Sequence, residues 1–239
     1  MRVLAIDTAL AACSAAVLDT DHGPGRGAGH GAHRGSIVAS ESLPMTRGHA
    51  EALIPLVARV LKSCGLAIGD LNRIVVTTGP GSFTGLRVGI AAARGFALTA
   101  KLPAIGVSTL SAYAAPYLGA NSRAPVIVAI DARHEHAYLQ IFDAGGRTVV
   151  APRLAPLQDA VRAAAEAPAC IVGSAARAIA DALSSTAPKP LTVDDAAAPD
   201  INWVAQIGAI APETATPPKP QYLRAPDAQP QHAASLPRR

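Results

Sequence analysis

The sequence predicts a duplicated α/β protein, in which two related units each combine a mixed β-sheet with flanking helices. Both halves show the same order of predicted elements: three strands, then helix, strand, helix, strand and helix. Residues repeat as well. "AID" closes the first strand of each half, at Asp7 and Asp131, and the second strands end at Asp19 and Asp143 with the same spacing. A duplicated domain accounts for both observations.

Composition indicates a folded globular protein. The chain has 239 residues, of which 50% are hydrophobic, enough for a substantial core. Only 3% are aromatic, so small aliphatic side chains must fill that core and the helices are expected to pack closely. Lys and Arg exceed Asp and Glu by 21 to 17, which gives only weak support for a polyanionic partner.

The cysteines and the apolar segments favour a cytoplasmic protein without a membrane span. Cys13, Cys64 and Cys170 are odd in number and widely spaced, as expected in a reducing compartment. Asp7 interrupts the first apolar run, which therefore reads as a core strand rather than an export signal. The apolar stretch 88–98 carries Arg94 and is too short and too charged to cross a bilayer.

In the first half, the pattern predicts strands at 2–7, 14–19 and 36–43, separated by a mobile Gly/His-rich hairpin loop at 22–35. A helix follows at 48–64, with Pro55 expected to kink it or break its first turns. The remaining elements are a strand at 73–78, a helix at 84–100, a short strand at "AIGV" and a helix from Ser108.

The second half repeats this order. "PVIVAIDARHEHAYLQIFDAGG" gives two strands and a glycine turn, and "RTVVAP" gives a third strand. Helices are predicted at 157–167, 174–185 and 202–210, with strands at "ACIVG" and "LTV" between them. The expected domains are 1–106 and 107–216, followed by a proline-rich tail at 217–239.

Two sibling domains of this kind resemble the actin-like and sugar-kinase-like fold (ASKHA, RNase H-like). In that family of ATPases, the phosphates are held by two hairpin turns that each follow an aspartate, so the resemblance implies two such turns here. Both turns depart from that pattern here. Ala9 stands where a glycine would open the turn after Asp7, although Thr8 and Ser14 retain hydroxyls. In "DARHEH", large side chains follow Asp131 and would crowd a triphosphate; they are Arg133, His134 and Glu135. We therefore expect Asp7, Thr8, Asp131 and Arg133 to line a vestigial cleft, and an ATP-binding kinase or hydrolase remains the alternative.

The motif "GPGSFTGLR" at 79–87 lies between a predicted strand and a predicted helix, where a phosphate-binding loop would be placed. It lacks the Lys of a P-loop, and its third glycine comes one residue too late for a dinucleotide fingerprint. Thr84 stands where a nucleophile elbow needs its second glycine. Ser82 fits a helix N-cap instead, which leaves Gly79, Pro80, Gly81, Ser82, Phe83 and Thr84 as a structural motif.

The histidine pattern predicts no metal site. His49 is followed one turn later by Leu53, so no second imidazole shares its helix face. His30 and His33 lie in the glycine-rich loop, which would have to be ordered before it could hold a metal. His134 and His136 share one face of a strand edge, but a third ligand is missing from the pattern.

The helix at 84–100 carries small residues four apart, which form one flat face: Gly85, Gly89, Ala93 and Ala97. Two glycines within a helix are costly, so close packing must compensate for them. Arg87 and Arg94, seven residues apart, share a second face and could pair with carboxylates. The residues alone leave open whether the small face packs inside the chain or against a partner.

Five segments, in their order and spacing, resemble the bacterial TsaB family, also called YeaZ: "AIDTALAACSAAVL", "GPGSFTGLRVGIAAARGFA", "GVSTL", "DARHEHAYLQIF" and "PQYLR". The likeness spans nearly the whole chain, but it is loose from Ala151 onward, and the loop at 22–35 looks like an insertion. "GPGSFTGLR" is the most specific of these segments.

The resemblance implies a noncatalytic subunit, without cofactor, in the synthesis of threonylcarbamoyladenosine beside the anticodon of tRNAs that read codons beginning with A. Its implied partners are a TsaD-like sibling transferase and a small TsaE-like ATPase, with tRNA bound indirectly and a homodimer as a further state. A peptidase label that follows this superfamily is not supported by the residues. Direct tRNA binding through Arg87 and Arg94 is a third alternative.

The resemblance also places the first two helices at the partner interface, and it shifts the small-residue face toward a partner. The residues it implies for that interface are His49, Leu53, Leu56, Val60, Gly85, Arg87, Gly89, Ala93, Arg94 and Ala97.

Overall fold

The computed structural model describes residues 1–21, 35–119, 122–214 and 216–224. The first half of the chain forms a five-stranded mixed sheet. Its strands are β1 (Arg2–Asp7), β2 (Ala12–Asp19), β3 (Ser36–Pro44), β4 (Arg73–Gly79) and β5 (Ala104–Ser108), in the order β3-β2-β1-β4-β5. β1 is antiparallel to β2 and parallel to β4, and its side chains are buried from Val3 to Asp7, as expected of a central strand covered on both faces.

Two helices cover one face of this sheet: α1 (His49–Ser63) and α2 (Phe83–Ala100). Pro55 was expected to kink α1 or break its first turns, but the helix is unbroken from His49 to Ser63. Pro55 is exposed, which lets the carbonyl group left without an N–H partner face water. Ile54, directly before Pro55, is apolar but 52% exposed.

The second half repeats the sheet. Its strands are β6 (Val126–Asp131), β7 (His136–Phe142), β8 (Thr148–Pro156), β9 (Cys170–Val172) and β10 (Thr192–Asp194), in the order β10-β9-β6-β7-β8. Taken in the opposite direction, as β8-β7-β6-β9-β10, this order matches the order β3-β2-β1-β4-β5 of the first sheet strand for strand. The match confirms the predicted duplication. α4 (Leu157–Ala164) and α5 (Ala176–Asp181) pack on its outer face and are shorter than predicted.

The two remaining helices, α3 (Thr109–Ala114) and α6 (Ile201–Ile210), connect the halves. α3 lies between the sheets, because Ala112 packs in the core of the first sheet whereas Leu110 and Tyr113 pack in that of the second. α6 packs on the first sheet, against β1, β2 and β4. The predicted division at 106/107 assigned α6 to the second domain, and its packing does not follow that division.

Arg73 and Gly208 explain why α6 packs on the first sheet. Gly208 brings the helix backbone directly against the side chain of Val75 on β4, leaving no room for a Cβ. The guanidinium group of Arg73, at the start of β4, donates hydrogen bonds to the carbonyl oxygens of Gly208, Ala209 and Ala211 at 2.7–3.2 Å. A buried cation therefore caps the carboxyl end of α6, where the helix dipole favours positive charge.

In the described ranges, no helix has the length and apolar character needed to cross a membrane. The predicted loop at 22–35 lies outside these ranges except for Gly35, as do His30, His33 and the tail beyond residue 224.

Candidate functional site

Asp7 ends β1 and is fully buried. One carboxylate oxygen, Oδ1, accepts hydrogen bonds from the hydroxyl of Thr77 and the backbone N–H of Ala9, whereas Oδ2 has no hydrogen-bond partner among the described residues. Burial raises the pKa of this carboxyl, although the bonds from Thr77 and Ala9 and the nearby His49 act in the opposite direction. Asp7 does not line an open cleft, which corrects the expectation for this residue.

The turn after Asp7 is closed by the chain itself. Thr8 is buried and its hydroxyl donates to the carbonyl oxygen of Gly85 at 2.7 Å. The carbonyl oxygen of Ala9 accepts from the backbone N–H of Ser82 at 2.7 Å, and the hydroxyl of Ser14 pairs with that of Ser42. The hydroxyls of Thr8 and Ser14 and the backbone N–H of Ser82, which could otherwise donate to a phosphate, are therefore already engaged within the protein.

The glycines of "GPGSFTGLR" make this closure possible. A Cβ at Gly81 would overlap the carbonyl group of Ala9, and one at Gly85 would overlap the carbonyl oxygen of Thr8. Ser82 caps α2 by accepting from the backbone N–H of Gly85 at 3.3 Å, as predicted. The motif forms a tight strand-to-helix turn that seats α2 on the first hairpin.

The small-residue face of α2 packs inside the chain, which corrects the expectation that it faces a partner. A Cβ at Gly89 would overlap the hydroxyl of Thr8, and Ala93 and Ala97 are buried in the core between α2 and the sheet. Spacing alone identified residues that share a face, but not the element that covers them.

The four α1 residues implied for the interface are buried too. Leu53, Leu56 and Val60 belong to the core under the helix. His49 is buried and its Nε2 lies 3.0 Å from the carbonyl oxygen of Leu10. Ten residues were implied for the interface. Of these, only Arg87 and Arg94, both on α2, are exposed to solvent.

The opposite faces of α1 and α2 are exposed and partly apolar. On α2, Leu98 is 82% exposed and Phe83 is 44% exposed, and on α1 Ile54 projects from the surface. The two helices contact each other, and we call their exposed sides together the helix-pair face. It comprises Glu51, Ile54, Pro55, Ala58 and Lys62 on α1 and Phe83, Arg87, Ala91, Arg94 and Leu98 on α2. The sequence did not single out Ile54 or Leu98 as surface residues, because an apolar side chain in a predicted helix does not reveal whether it faces the core or solvent.

The second turn, after Asp131, is built differently from the first. Asp131 and Arg133 are exposed, and Oδ1 of Asp131 accepts from the backbone N–H of Arg133 at 2.8 Å. Three residues there adopt positive φ without being glycine: Arg133, His134 and Glu135, at 63°, 52° and 58°. The large side chains thus stand at the turn, as the sequence indicated.

The described part of the chain contains no group of three His, Cys, Asp or Glu side chains arranged to hold a metal ion. His136 lies beside the carbonyl oxygen of His134, with Nδ1 at 2.6 Å. A groove of about 330 Å³ lies between Ala12, Pro44, Tyr113 and Pro199; its lining is mostly apolar and does not include Asp7.

Comparison with protein families matches residues 37–192 to the family described as TsaD, tRNA N6-adenosine threonylcarbamoyltransferase. The chain is 40% identical over 138 residues to the tRNA threonylcarbamoyladenosine biosynthesis protein TsaB of Escherichia coli (strain K12). That alignment covers 58% of this chain and 53% of the Escherichia coli protein, so it spans about half the length of this relative.

Two further relatives match over almost their whole length. An uncharacterized protein of Mycobacterium tuberculosis (strain ATCC 25618 / H37Rv) is 32% identical over 234 residues, covering 95% of this chain and 94% of that protein. The structure of YeaZ from Pseudomonas aeruginosa superposes with a TM-score of 0.71 at 24% identity, covering 93% of this chain and 99% of that one. The overall fold is therefore shared across both halves.

Proposed function

The chain belongs to the TsaB (YeaZ) family, and from this premise we propose that it is a noncatalytic subunit for threonylcarbamoyladenosine synthesis in tRNA. In this role it binds a TsaD-like sibling transferase that modifies the adenosine beside the anticodon in tRNAs reading codons that start with A. A TsaE-like ATPase completes the complex, and tRNA is bound through the assembly rather than by this chain alone.

The helix-pair face carries the proposal. It exposes Ile54 and Leu98, two of the largest apolar side chains at the surface, on adjacent helices. Large exposed apolar side chains grouped on one surface are typical of protein interfaces. Arg87 and Arg94 on the same side of α2 add donors for carboxylates. The same face can serve a homodimer when the partner is absent, because an interface of this kind is open to a second copy.

The closed first turn supports a noncatalytic role. In an ATP-dependent kinase or hydrolase of this fold, the turn after the first aspartate must admit a phosphate. Here the hydroxyl of Thr8 and the carbonyl oxygen of Ala9 are bonded to the start of α2. Opening the turn would require α2 to move away from the sheet.

Calorimetry with the purified TsaD-like sibling tests this function. We expect the wild-type chain to bind, and Leu98→Asp to weaken binding by about tenfold or more, since a buried carboxylate at an interface is costly. Leu191→Asp is the matched control, because Leu191 is 62% exposed but lies outside the helix-pair face. Its affinity should equal that of the wild type.

Reconstitution extends the test to activity. Sibling transferase, ATPase and tRNA should form threonylcarbamoyladenosine faster with the wild-type chain than with Leu98→Asp. Failure of the wild-type chain to bind the sibling, or ATP binding by the isolated chain, would contradict the proposed role.

A further inference from the structure

Residues 216–224 cross back over the start of α2, and we call this segment the strap. Pro218 is buried and lies against Gly106 of β5. The backbone N–H of Gln221 donates to the carbonyl oxygen of Thr78, at the end of β4, at 2.7 Å. At its far end, Arg224 donates to the carbonyl oxygen of Ala132, in the second turn, at 2.8 Å. The strap is thus fixed on both sides of Tyr222.

Tyr222 completes a cluster on the first turn of α2. Its ring centroid lies 5.2 Å from that of Phe83, with the ring planes tilted by 31°. The guanidinium carbon of Arg87 lies 3.7 Å from the centroid of the Phe83 ring, in a cation–π contact. Nε of Arg87 donates to the hydroxyl of Tyr222 at 3.0 Å. We call these three residues the aromatic–guanidinium patch.

The patch is ordered although it is exposed. Tyr222 is 43% exposed, similar to Phe83, and Arg87 is exposed as well. The phenyl ring and the tyrosine hydroxyl hold the guanidinium plane in one orientation, which reduces the rotamer freedom that Arg87 would lose on binding a ligand. The arginine is therefore preorganised.

Within the described ranges, the preorganised guanidinium group has no anionic partner. Among the described residues, no carboxylate pairs with Arg87, and α2 itself contains no Asp or Glu. Only Nε has a described hydrogen-bond partner, so both terminal nitrogens can donate outward. That arrangement matches the two oxygens of a carboxylate.

We propose that the aromatic–guanidinium patch is the part of the helix-pair face that binds an acidic side chain of the sibling transferase, with Tyr222 as the positioning residue for Arg87. The inference rests on the proposed function and deepens it. Arg87 donates both terminal nitrogens to the partner carboxylate, and the rings of Phe83 and Tyr222 shield that ion pair from water.

A protein carboxylate fits the patch better than a tRNA phosphate. Phe83 and Arg87 begin a stripe on α2 that continues through Ala91, Arg94 and Leu98, where apolar side chains separate the charges. Nucleic-acid surfaces instead need several cations close together, because affinity comes from neutralising many phosphates. One arginine stacked on an aromatic ring beside apolar side chains is typical of a protein interface.

The experiment measures the dissociation constant of the full chain and the sibling transferase by calorimetry at low and high salt. Arg87→Lys should weaken binding by about tenfold or more, because an ammonium group cannot replace the bidentate fork. Tyr222→Phe keeps the ring but removes the acceptor for Nε, and should weaken binding by a few fold and reduce its salt dependence, without changing the thermal midpoint. Arg123→Lys is the control, since Arg123 is exposed, precedes β6 in the second half of the chain and is not part of the helix-pair face.

The outcomes separate the two proposals. The patch proposal is overturned, and the proposed function stands, if three results occur together. The wild-type chain binds the sibling, Leu98→Asp weakens that binding, and both Arg87→Lys and Tyr222→Phe bind like the wild type. If the wild-type chain does not bind the sibling, both fail. The proposal would also be overturned if the isolated chain bound tRNA in a salt-dependent way and Arg87→Gln reduced that binding. This result would identify a phosphate site.

Discussion

The hydroxyl of Thr8 donates a hydrogen bond to the carbonyl oxygen of Gly85, 77 residues further along the chain, and both residues are buried. This bond fixes the start of α2 against the turn that follows β1. Gly89 lies one helical turn beyond Gly85, on the same face. A Cβ at Gly85 would overlap the carbonyl oxygen of Thr8, and one at Gly89 would overlap its hydroxyl, so the hydrogen bond needs glycine at both positions.

Gly89→Ala should lower the free energy of unfolding by about 1–3 kcal/mol, the usual cost of overpacking. The new methyl group would overlap the hydroxyl of Thr8, which is held by its bond to Gly85. Gly95→Ala is the control on the same helix, because Gly95 is exposed and a methyl group there would meet no described neighbour within 4 Å. That variant should be more stable than the wild type by about 0.5–1 kcal/mol. Urea unfolding measures both, and equal shifts would refute the packing argument.

Arg73→Met should destabilise the protein by about 2–3 kcal/mol, because three carbonyl oxygens lose a charged donor. These oxygens lie at the end of α6 and are partly or fully buried. Arg59→Met is a suitable comparison, since Arg59 forms an exposed ion pair with Glu41 and should change the thermal midpoint little. A similar midpoint for the two variants would mean that Arg73 does not anchor α6.

Asp7→Asn should make stability less dependent on pH. The folded protein raises the pKa of Asp7, so this group contributes stability below its unfolded pKa. That contribution is lost as pH rises through the folded pKa, where a buried carboxylate without a full set of partners must ionise. The variant should therefore gain thermal stability relative to the wild type as pH increases from about 4 to 7. A constant difference across that range would show that Asp7 ionises as readily in the folded chain as in the unfolded one.

Cys13 should resist alkylation in the native state. Burial is the main cause that raises the pKa of its thiol to about 11, so little thiolate is present near neutral pH. Cys64 and Cys170 are only partly buried. Iodoacetamide at a pH of about 8 should modify these two first, as peptide mass spectrometry can show, and early labelling of Cys13 would indicate local opening of β2.

The sequence predicted every α-helix and β-strand of the described structure to within a few residues, because apolar periodicity determines local structure, but it missed the short 3-10 helices at Ile68–Asp70 and Ala115–Tyr117. Periodicity could not identify what covers each face. Gly85 and Gly89 were correctly placed on one face, but the turn that covers them is distant in sequence. Likewise, the packing of α6 depends on Gly208 meeting Val75, a contact that no local pattern encodes. Tyr222 was noted only within "PQYLR", since nothing near it in sequence points to Phe83.

The position of α6 has a consequence for how the protein is made. The inner face of the first sheet includes Val3, Ala5 and Val75, and α6 covers it with Val204 and Ala205. At synthesis rates of about 5–20 residues per second, the ribosome needs several seconds to proceed from the end of β5 to the end of α6. Throughout that interval the nascent first sheet exposes an apolar face, which makes it a natural target for a chaperone acting during translation.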